Sequence, residues 1–345
     1  MVVGQHGNFS FKMKFNKTIL IVGFGSIGRR HTNNILKITN SKIIILSQRT
    51  NISTTEFYNY NSNKKRILIN SDFNSCIKES PSVAFITNET SFHIKYAIKL
   101  AQMKIDLFIE KPLSNSMNKI PYLKSIIKKY DLQVMIGCNF RFYPPIQKIK
   151  HLVGKNILGK IISVQSENSS YLPDWHPDED YSKGYAARKD LGGGVTLTQI
   201  HELDYLISLF GKISNSKSFV GKFSDLNVTS DDQCSSILKL KNGIIVELHL
   251  DYFSKPYYKR LKIRGTKGTL YWNSDENKIK FFNLKNNEWK LISIRDNYSL
   301  MSKNVNQMYV EQLRYFLKCV TERKTPINNI EEASTILKSA LALKK

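Results

Sequence analysis

A glycine-rich turn placed directly after an apolar run restricts what the N-terminal half of this chain can fold into. The run Thr18 to Val22 leads into Gly23-Phe24-Gly25-Ser26-Ile27-Gly28, and an amphipathic stretch follows as far as Ile38. In such a turn the first glycine permits a tight bend, the second lets the backbone approach a pyrophosphate, and the third lets helix and strand pack closely. The start of the helix adds N–H donors and the positive end of its dipole. The pattern predicts that these six residues bind a dinucleotide.

Short β-branched segments alternate with amphipathic ones over residues 17–137, a pattern typical of parallel strands joined by helices. We predict strands at Thr18 to Val22, Lys42 to Ser47, Arg66 to Ile69, Val83 to Thr87, Asp106 to Glu110 and Gln133 to Gly137. The predicted helices are Ile27 to Ile38, Phe92 to Met103 and Ser116 to Tyr130. This order indicates a Rossmann domain, a doubly wound α/β sheet that binds ligands beyond the carboxyl ends of its strands.

The residues near the expected adenosine ribose bear on the choice of cofactor. A site that prefers NAD carries an acidic residue about 20 positions after the glycines. Here the second strand ends at Ser47, followed by Gln48 and Arg49, with no carboxylate among them. A hydroxyl and a guanidinium suit a 2′-phosphate instead. We therefore predict that Ser47 and Arg49 bind the cofactor and that NADP is preferred, with NAD as the alternative.

The sequence changes character after Pro144 and Pro145, and we assign residues 138–345 to a second, α+β domain for substrate binding and oligomerisation. A short helix to about Gly154 precedes a strand from Lys160 to Tyr171. Residues 195–210 read as one helix, and residues 216–294 as a mainly antiparallel open sheet with turns at Asn242-Gly243 and around Gly265 and Gly268. Two late helices, Val305 to Thr321 and Glu331 to Leu343, follow.

Composition excludes several other classes of protein. The net charge of +24 is spread along the chain without a basic-aromatic stripe, so we do not expect nucleic acid as a partner. The four cysteines form no Cys-x-x-Cys pair, and we expect neither a metal site nor disulfides. We expect no membrane association, because no stretch approaches the length of a membrane span and residues 1–16 lack a signal-peptide core. We expect those 16 residues to be a flexible extension and the protein to be cytoplasmic.

Further motifs resemble those of one family. They are the glycine loop, Thr87-Asn88 with His93, Glu110-Lys111-Pro112, Arg141-Phe142-Tyr143-Pro144, the glycines 192–194 leading to His201-Glu202-Leu203-Asp204, and residues 265–270. Together they resemble the glucose-fructose oxidoreductase, inositol dehydrogenase and MocA (Gfo/Idh/MocA) family over nearly all the chain from Lys17 onward. The Glu-Lys-Pro triplet is the most specific of these motifs.

The resemblance implies a nicotinamide lying over the ends of strands four to six. It implies a cofactor site that includes Thr87, Asn88, His93, Glu110, Lys111 and Arg141. It also implies that Lys111 and His201 are catalytic, since a partly desolvated lysine can have a lowered pKa and a histidine titrates near neutrality. Asp204 lies three residues after His201 on the same helix face, where it could orient the imidazole or contact substrate. Many family members carry an acid four residues before this histidine, whereas this chain has Leu197 with Thr198 beside it.

The loop from Tyr171 to Arg188 is rich in side chains that bind sugars. Its Trp175 and Tyr185 offer aromatic faces for pyranose C–H groups, and Arg188 offers a fork for hydroxyls or a carboxylate. We predict that these three residues bind the substrate together with His201 and Asp204. Its spacing is similar to that of family members associated with bacterial surface-sugar or sialic-acid-like pathways.

The functional hypothesis is an NAD(P)-dependent sugar dehydrogenase or reductase that acts on a carbinol carbon and forms a homodimer or homotetramer. Two alternatives stay open at this point. One is a lyase or glycosidase that oxidises its substrate only transiently, and the other is a non-catalytic sensor that binds NADP. Only the first hypothesis predicts stoichiometric turnover of the cofactor.

Overall fold

The computed structural model describes residues 12–294 and 305–345, which form two sheets with their surrounding helices. The strands of the first sheet are β1 (Ile19–Val22), β2 (Ile43–Leu46), β3 (Ile67–Asn70), β4 (Val83–Ile86), β5 (Asp106–Ile109) and β6 (Val134–Ile136). Those of the second are β7 (Ile161–Tyr171), β8 (Ile213–Gly221), β9 (Gln233–Leu240), β10 (Ile245–Asp251), β11 (Phe253–Gly265), β12 (Gly268–Asn273), β13 (Ile279–Asn283) and β14 (Glu288–Ile292).

The first sheet is parallel throughout, in the order β3-β2-β1-β4-β5-β6, so the predicted Rossmann fold is confirmed. Its central strands are buried on both faces, which explains their unbroken apolar runs. The accompanying helices are α1 (Ser26–Ile38), α2 (Tyr60–Asn63), α3 (Phe73–Lys78), α4 (His93–Gln102) and α5 (Ile120–Tyr130). The chain order reverses between β1 and β4, which is where such sheets bind their ligands.

The second sheet has the order β14-β13-β12-β11-β7-β10-β9-β8 and is antiparallel except where β10 pairs with β7. This confirms the mainly antiparallel open sheet. The remaining helices are α6 (Pro144–Gly154), α7 (Val195–Thr198), α8 (His201–Phe210), α9 (Asn306–Glu322) and α10 (Ile330–Leu343). None of the helices within the described ranges is long and apolar enough to cross a membrane. All four cysteines are buried and carry free thiols.

The penultimate helix α9 packs on the first sheet, although the sequence placed it with the second domain. Its Phe316 lies edge-on to Phe85 of β4 and Phe108 of β5, with ring centroids 5.8 and 5.5 Å apart. Further along, the carbonyl oxygen of Asn328 accepts a hydrogen bond from the backbone N–H of Ile136, at 2.9 Å, and so covers the edge of β6. The Rossmann sheet is therefore completed by residues that come almost 200 positions later.

Two sequence predictions differ from the structure. Residues 12–16 were assigned to a flexible extension, but Phe15 is buried in the core and its carbonyl accepts a hydrogen bond from Ser41. Residues 1–11 of that predicted extension lie outside the described residues. The helix predicted over residues 195–210 is broken between α7 and α8. The backbone N–H of Glu202 bonds to Gln199, so the carbonyl of Thr198 lacks the helical partner it would have in an unbroken helix.

Candidate active site

The glycine loop has the geometry that a bound pyrophosphate requires. Gly23 has φ +93°, and a Cβ there would lie 2.8 Å from the backbone of Asn88. A Cβ at Gly28 would lie 2.2 Å from the carbonyl oxygen of Gly23, so only glycine lets α1 start this close to β1. Gly25, by contrast, has no atom of the described residues within 4 Å of its Cβ position, and it is exposed together with Ser26 at the start of α1. Open space therefore lies where the helix N-terminus presents its donors.

Phe24 and Ile27 contribute little side-chain surface to this opening. The ring of Phe24 is buried and stacks on Phe57 at 5.3 Å, and Ile27 is half-buried. Both residues were predicted to bind cofactor, and the structure leaves their backbone as the part available for that role.

The residues after β4 hold the loop in place. Thr87 donates its hydroxyl toward the carbonyl oxygens of Gly23, at 2.7 Å, and Val22, at 3.0 Å. The Oδ1 atom of Asn88 is buried and has no partner among the described residues. His93 is fully buried, with ring nitrogens 3.0 Å from the carbonyl of Asn88 and 2.9 Å from that of Pro112. Burial lowers the pKa of His93 although the two carbonyls oppose this, and the ring lies between the two loops rather than facing the opening.

Glu110 and Lys111 follow β5 and differ in what they contact. One carboxylate oxygen of Glu110 lies 2.7 Å from Nε2 of the buried His31, and the other accepts the backbone N–H of Lys111. Lys111 extends its Nζ across to the second domain, where it donates to the free carbonyl of Thr198 at 2.7 Å. The break between α7 and α8 therefore supplies the acceptor that fixes the lysine.

A cavity of about 150 Å³ lies at this junction of the two domains. It is lined by Lys111, Phe140, Asn168, Ser170, Trp175, Thr198, Gln199, His201, Tyr257 and Lys259. The structure thus brings Lys111, His201 and Trp175 together, as expected from the sequence. Several polar atoms of the lining are buried without a partner among the described residues, namely Asn168 Oδ1, Thr198 Oγ1, Gln199 Oε1 and His201 Nδ1. Such unsatisfied atoms are typical of a site that awaits a polar ligand.

The two predicted catalytic residues carry different charges in this cavity. Burial lowers the pKa of Lys111, but the acidic groups around it, first Tyr185 and then Glu110, more than offset this and raise it above the usual lysine value. The lowered pKa expected from desolvation alone is therefore wrong. Burial, together with the charges of Lys111 and Lys259, holds the pKa of His201 well below its usual value. An ammonium and a neutral imidazole share the cavity near neutral pH.

The sugar-binding loop reaches the cavity only in part. Trp175 lines it and packs edge-on against Tyr252, with ring centroids 5.5 Å apart. Tyr185 is half-buried and close enough to influence Lys111. Arg188 differs from the prediction, because it is exposed and its guanidinium bonds to Asp190, two residues further on. The structure does not bring Arg188 into the cavity.

Arg141 and Asp204 also differ from the prediction, because each is occupied by the other. The Nε atom of Arg141 lies 2.9 Å from Oδ2 of Asp204, and Nη2 lies 2.9 Å from Oδ1. The remaining Nη1 donates to Glu332 of α10 at 2.5 Å. Asp204 is fully buried and lies on the face of α8 that meets Arg141, so it neither orients His201 nor lines the cavity. This pair joins the start of the second domain to α8 and α10.

At the ribose edge the structure adds a carboxylate that the sequence did not suggest. Ser47 is buried, and its Oγ accepts the backbone N–H of Arg49 at 3.1 Å. The Arg49 guanidinium donates to the carbonyl of Phe24 in the glycine loop, at 3.0 Å, and to both oxygens of Glu56. Ser47 and Arg49 are therefore placed beside the glycine loop as predicted, but Arg49 is already paired.

Comparison with known proteins assigns the chain to a family. The model of the oxidoreductase family with an NAD-binding Rossmann fold matches residues 17–138, and that of the GFO/IDH/MocA C-terminal domain matches residues 146–271. The chain belongs to the Gfo/Idh/MocA oxidoreductase family. This agrees with the resemblance seen in the sequence.

Individual Gfo/Idh/MocA proteins are similar at modest identity. Myo-inositol 2-dehydrogenase of Thermotoga maritima is 22% identical over 343 residues, which cover 94% of each chain. The uncharacterized oxidoreductase YrbE of Bacillus subtilis is 29% identical over 140 residues, only 40% of each chain. The structure of levoglucosan dehydrogenase in complex with NADH covers 96% of both chains with a TM-score of 0.82 at 15% identity, which concerns the fold alone.

The residues present fit the NAD cofactor that this Gfo/Idh/MocA fold implies. A side chain at Gly28 would collide with the carbonyl oxygen of Gly23, and one at Gly25 would occupy the open space that a pyrophosphate needs. The neighbouring loop contributes Asn88, whose Oδ1 has no partner among the described residues. We expect the glycine loop to hold the pyrophosphate through backbone N–H groups and Asn88 to receive a hydrogen bond.

Sequence reasoning missed two groups around the site. Lys259 is fully buried, lines the cavity and forms an ion pair with the equally buried Glu202. Its position was readable in principle, because residues 259, 261 and 263 alternate inward on β11. His31, the partner of Glu110, lies three residues after Gly28 on the buried face of α1, which the helical period also indicates.

Proposed function

We propose that this protein is an NAD(P)-dependent dehydrogenase or reductase that acts on a carbinol carbon of a sugar, nucleotide sugar or sugar acid. The observation that supports this best is the presence of a charged Lys111 and a neutral His201 in one cavity beside the carboxyl end of β5. The names of the relatives, a myo-inositol dehydrogenase and a levoglucosan dehydrogenase, support a polyhydroxylated substrate.

The two residues would divide the proton chemistry. In the oxidative direction the neutral imidazole of His201 takes the proton of the substrate hydroxyl, and the ammonium of Lys111 stabilises the negative charge that develops on the oxygen. The bound cofactor supplies the hydride acceptor. In the reductive direction His201 returns the proton. Thr198 keeps the ammonium at the junction before substrate arrives, because its carbonyl accepts from Nζ.

We propose NADP as the preferred cofactor, with NAD as the alternative. Arg49 is the residue on which this rests, since its guanidinium lies beside the glycine loop and suits a phosphate. Ser47 would add a hydroxyl at the same edge.

Trp175 provides a direct test of the substrate site. Trp175→Ala should raise the Michaelis constant for the sugar substrate by about tenfold, because an aromatic face against the sugar is lost. The dissociation constant for cofactor should hardly change. Trp289→Ala is a matched control, since Trp289 lies on β14 and is 55% exposed. A loss of cofactor affinity alone would show that Trp175 contacts the cofactor and not the substrate.

The charge state of His201 predicts a pH profile. A histidine with a depressed pKa stays neutral, and therefore active as a base, until the pH falls to its lowered value. We expect kcat/KM for oxidation to hold down to pH values well below 6.5 and to fall only beyond that. His201→Gln should remove this acidic limb. A limb at or above pH 6.5 in the unchanged protein would contradict the assignment of His201 as the neutral base.

The function itself is tested by net turnover. The purified protein is incubated with NADP or NAD and a panel of inositols, sugars, sugar acids and nucleotide sugars, and the absorbance of reduced nicotinamide is followed. A stoichiometric rise supports the dehydrogenase. Conversion of substrate without a net change in absorbance would instead identify a transient-oxidation lyase or glycosidase, and binding without conversion would identify a sensor.

We also propose that the protein is a homodimer or homotetramer joined through the outer face of the second sheet. Phe219, Ile237 and Ile245 are exposed there, with Phe219 at 78%, among charged neighbours such as Glu247 and Arg260. Apolar side chains exposed on an open sheet favour pairing between copies. The cytoplasmic location stays a prediction.

A further inference from the structure

One carboxylate holds two arginines beside the expected ribose site. Glu56 Oε2 accepts from Nη1 of Arg49 at 2.9 Å and from Nη1 of Arg29 at 3.2 Å. Its Oε1 accepts from Nη2 of Arg49 at 3.1 Å. Arg29 belongs to α1 and directly follows the glycine loop, whereas Arg49 follows β2. The two guanidinium groups therefore converge on a single anion from two elements of the cofactor cradle.

Hydrogen bonds from neighbouring residues hold Glu56 in this position. It ends the short 3-10 helix Thr54–Glu56, and its Oε1 also accepts the backbone N–H of Ser53 at 3.0 Å. Its carbonyl oxygen accepts from the side-chain amide of Asn33 on α1, at 2.9 Å. The side chain of Glu56 is only 12% exposed, whereas those of Arg29 and Arg49 are 39% and 43% exposed. Chiefly because Arg49 donates to it, the pKa of Glu56 lies below its usual value, so the group is ionised at neutral pH.

This arrangement stands where a 2′-phosphate would need cations. Arg49 bonds to the carbonyl of Phe24 and to the hydroxyl of Ser47, which places it between the glycine loop and the end of β2. That is the position from which a Rossmann domain reads the 2′ substituent of the adenosine ribose. A phosphate brought there meets a guanidinium whose fork is already filled by a carboxylate of the same sign.

We propose that Glu56 is an internal competitor of the 2′-phosphate of NADP and thereby limits the preference for NADP over NAD. The inference rests on the proposed NAD(P)-dependent function. A 2′-phosphate gains the Nη1 and Nη2 donors of Arg49 and the Nη1 donor of Arg29 only when Glu56 gives them up, whereas the 2′-hydroxyl of NAD leaves the cluster undisturbed. Glu56 is thus a specificity-determining residue that sequence spacing alone did not reveal.

Direct binding measurements test this without any knowledge of the sugar substrate. The dissociation constants of NADP and NAD are measured by calorimetry for the unchanged protein and for Glu56→Gln, which keeps the shape and removes the charge. We expect NADP to bind at least about tenfold more tightly to the variant, the effect of a freed charge-assisted contact, while NAD changes less than about threefold. Glu79→Gln is the matched control, because Glu79 also pairs with a cation, Lys42. Lys42 directly precedes β2 and so lies at the opposite end of this strand from the glycine loop.

Arg49→Ala links the effect to the cluster. In the Arg49→Ala background the gain from Glu56→Gln should largely disappear, because the freed cation is missing. Thermal unfolding is used to check that each variant is folded. If Glu56→Gln does not fold, Glu56→Ala replaces it.

Three results would overturn the inference. Unchanged NADP affinity in a folded Glu56→Gln would show that Glu56 does not compete. A selective loss of NAD affinity would show that Glu56 itself binds the ribose hydroxyls. The two results above would leave the proposed function intact. Failure of the unchanged protein to bind either cofactor would instead overturn the proposed function, and this inference with it.

Discussion

Replacing Lys111 with methionine should lower turnover by roughly 100- to 1,000-fold, the range expected when a group that stabilises the developing charge on the reacting oxygen is lost. The methionine keeps most of the apolar stem and removes the ammonium that would stabilise charge on the substrate oxygen. The hydrogen bond from the Lys111 ammonium to the carbonyl of Thr198 contributes about 1.5–3 kcal/mol to stability, less than most domains have in total, so the fold should persist. Steady-state kinetics, cofactor titration and thermal unfolding measure the three quantities separately.

Lys150→Met is the control for that experiment. It makes the same chemical change on an exposed lysine of α6, away from the cavity. Near-full turnover in a folded Lys111→Met would remove Lys111 from the chemistry and leave it a structural contact between domains.

Replacing Arg141 with methionine should destabilise the protein by about 3–5 kcal/mol, because it leaves the fully buried carboxylate of Asp204 without its counter-charge. The Arg141–Asp204 pair also reaches Glu332, so the loss affects three separate parts of the chain. Denaturant unfolding measures the change. Affinity for NADP and NAD should stay within a fewfold of the original in the folded variant.

The double variant Arg141→Met with Asp204→Leu separates a structural ion pair from a cofactor contact. Removing both charges should restore much of the stability lost in the single variant, because no buried charge is left unpaired and Glu332, whose side chain is 45% exposed, can be solvated. If Arg141→Met instead kept its stability and lost cofactor affinity, the sequence-based assignment of Arg141 to the cofactor site would be right.

Local patterns predicted most of the fold. Each Rossmann strand agreed with the structure to within one or two residues, and the central ones did so because strands buried on both faces leave continuous apolar runs. The glycine loop was equally predictable from sequence, since Gly23 and Gly28 each meet a local steric demand and Gly25 leaves room for a pyrophosphate. The break at Gln199 was not, because residues 195–210 keep a helical pattern and the break is stabilised by contacts with other parts of the chain.

The sequence predicted the role of a site residue where the chemistry of its own side chain sets that role. It did not do so where a partner distant in sequence sets the role. Lys111 and His201 line the same cavity as expected. Arg141 and Asp204 are 63 positions apart, and nothing local indicates that they neutralise each other. The predicted lowering of the Lys111 pKa was wrong for the same reason. Desolvation can be inferred from position in the sequence, but the proximity of the acidic groups Tyr185 and Glu110, which raises the pKa, depends on the fold.

The packing of α9 on the first sheet has a consequence for how the chain folds during synthesis. Phe85 and Phe108 lie in adjacent central strands, yet the aromatic ring that covers them, Phe316, emerges from the ribosome more than 200 residues later. Domains generally fold as units with the N-terminal one first, but here the nascent Rossmann half has an apolar face uncovered until translation is nearly finished. A fragment that stops near residue 137 should therefore bind chaperones or aggregate instead of forming an independent cofactor-binding domain.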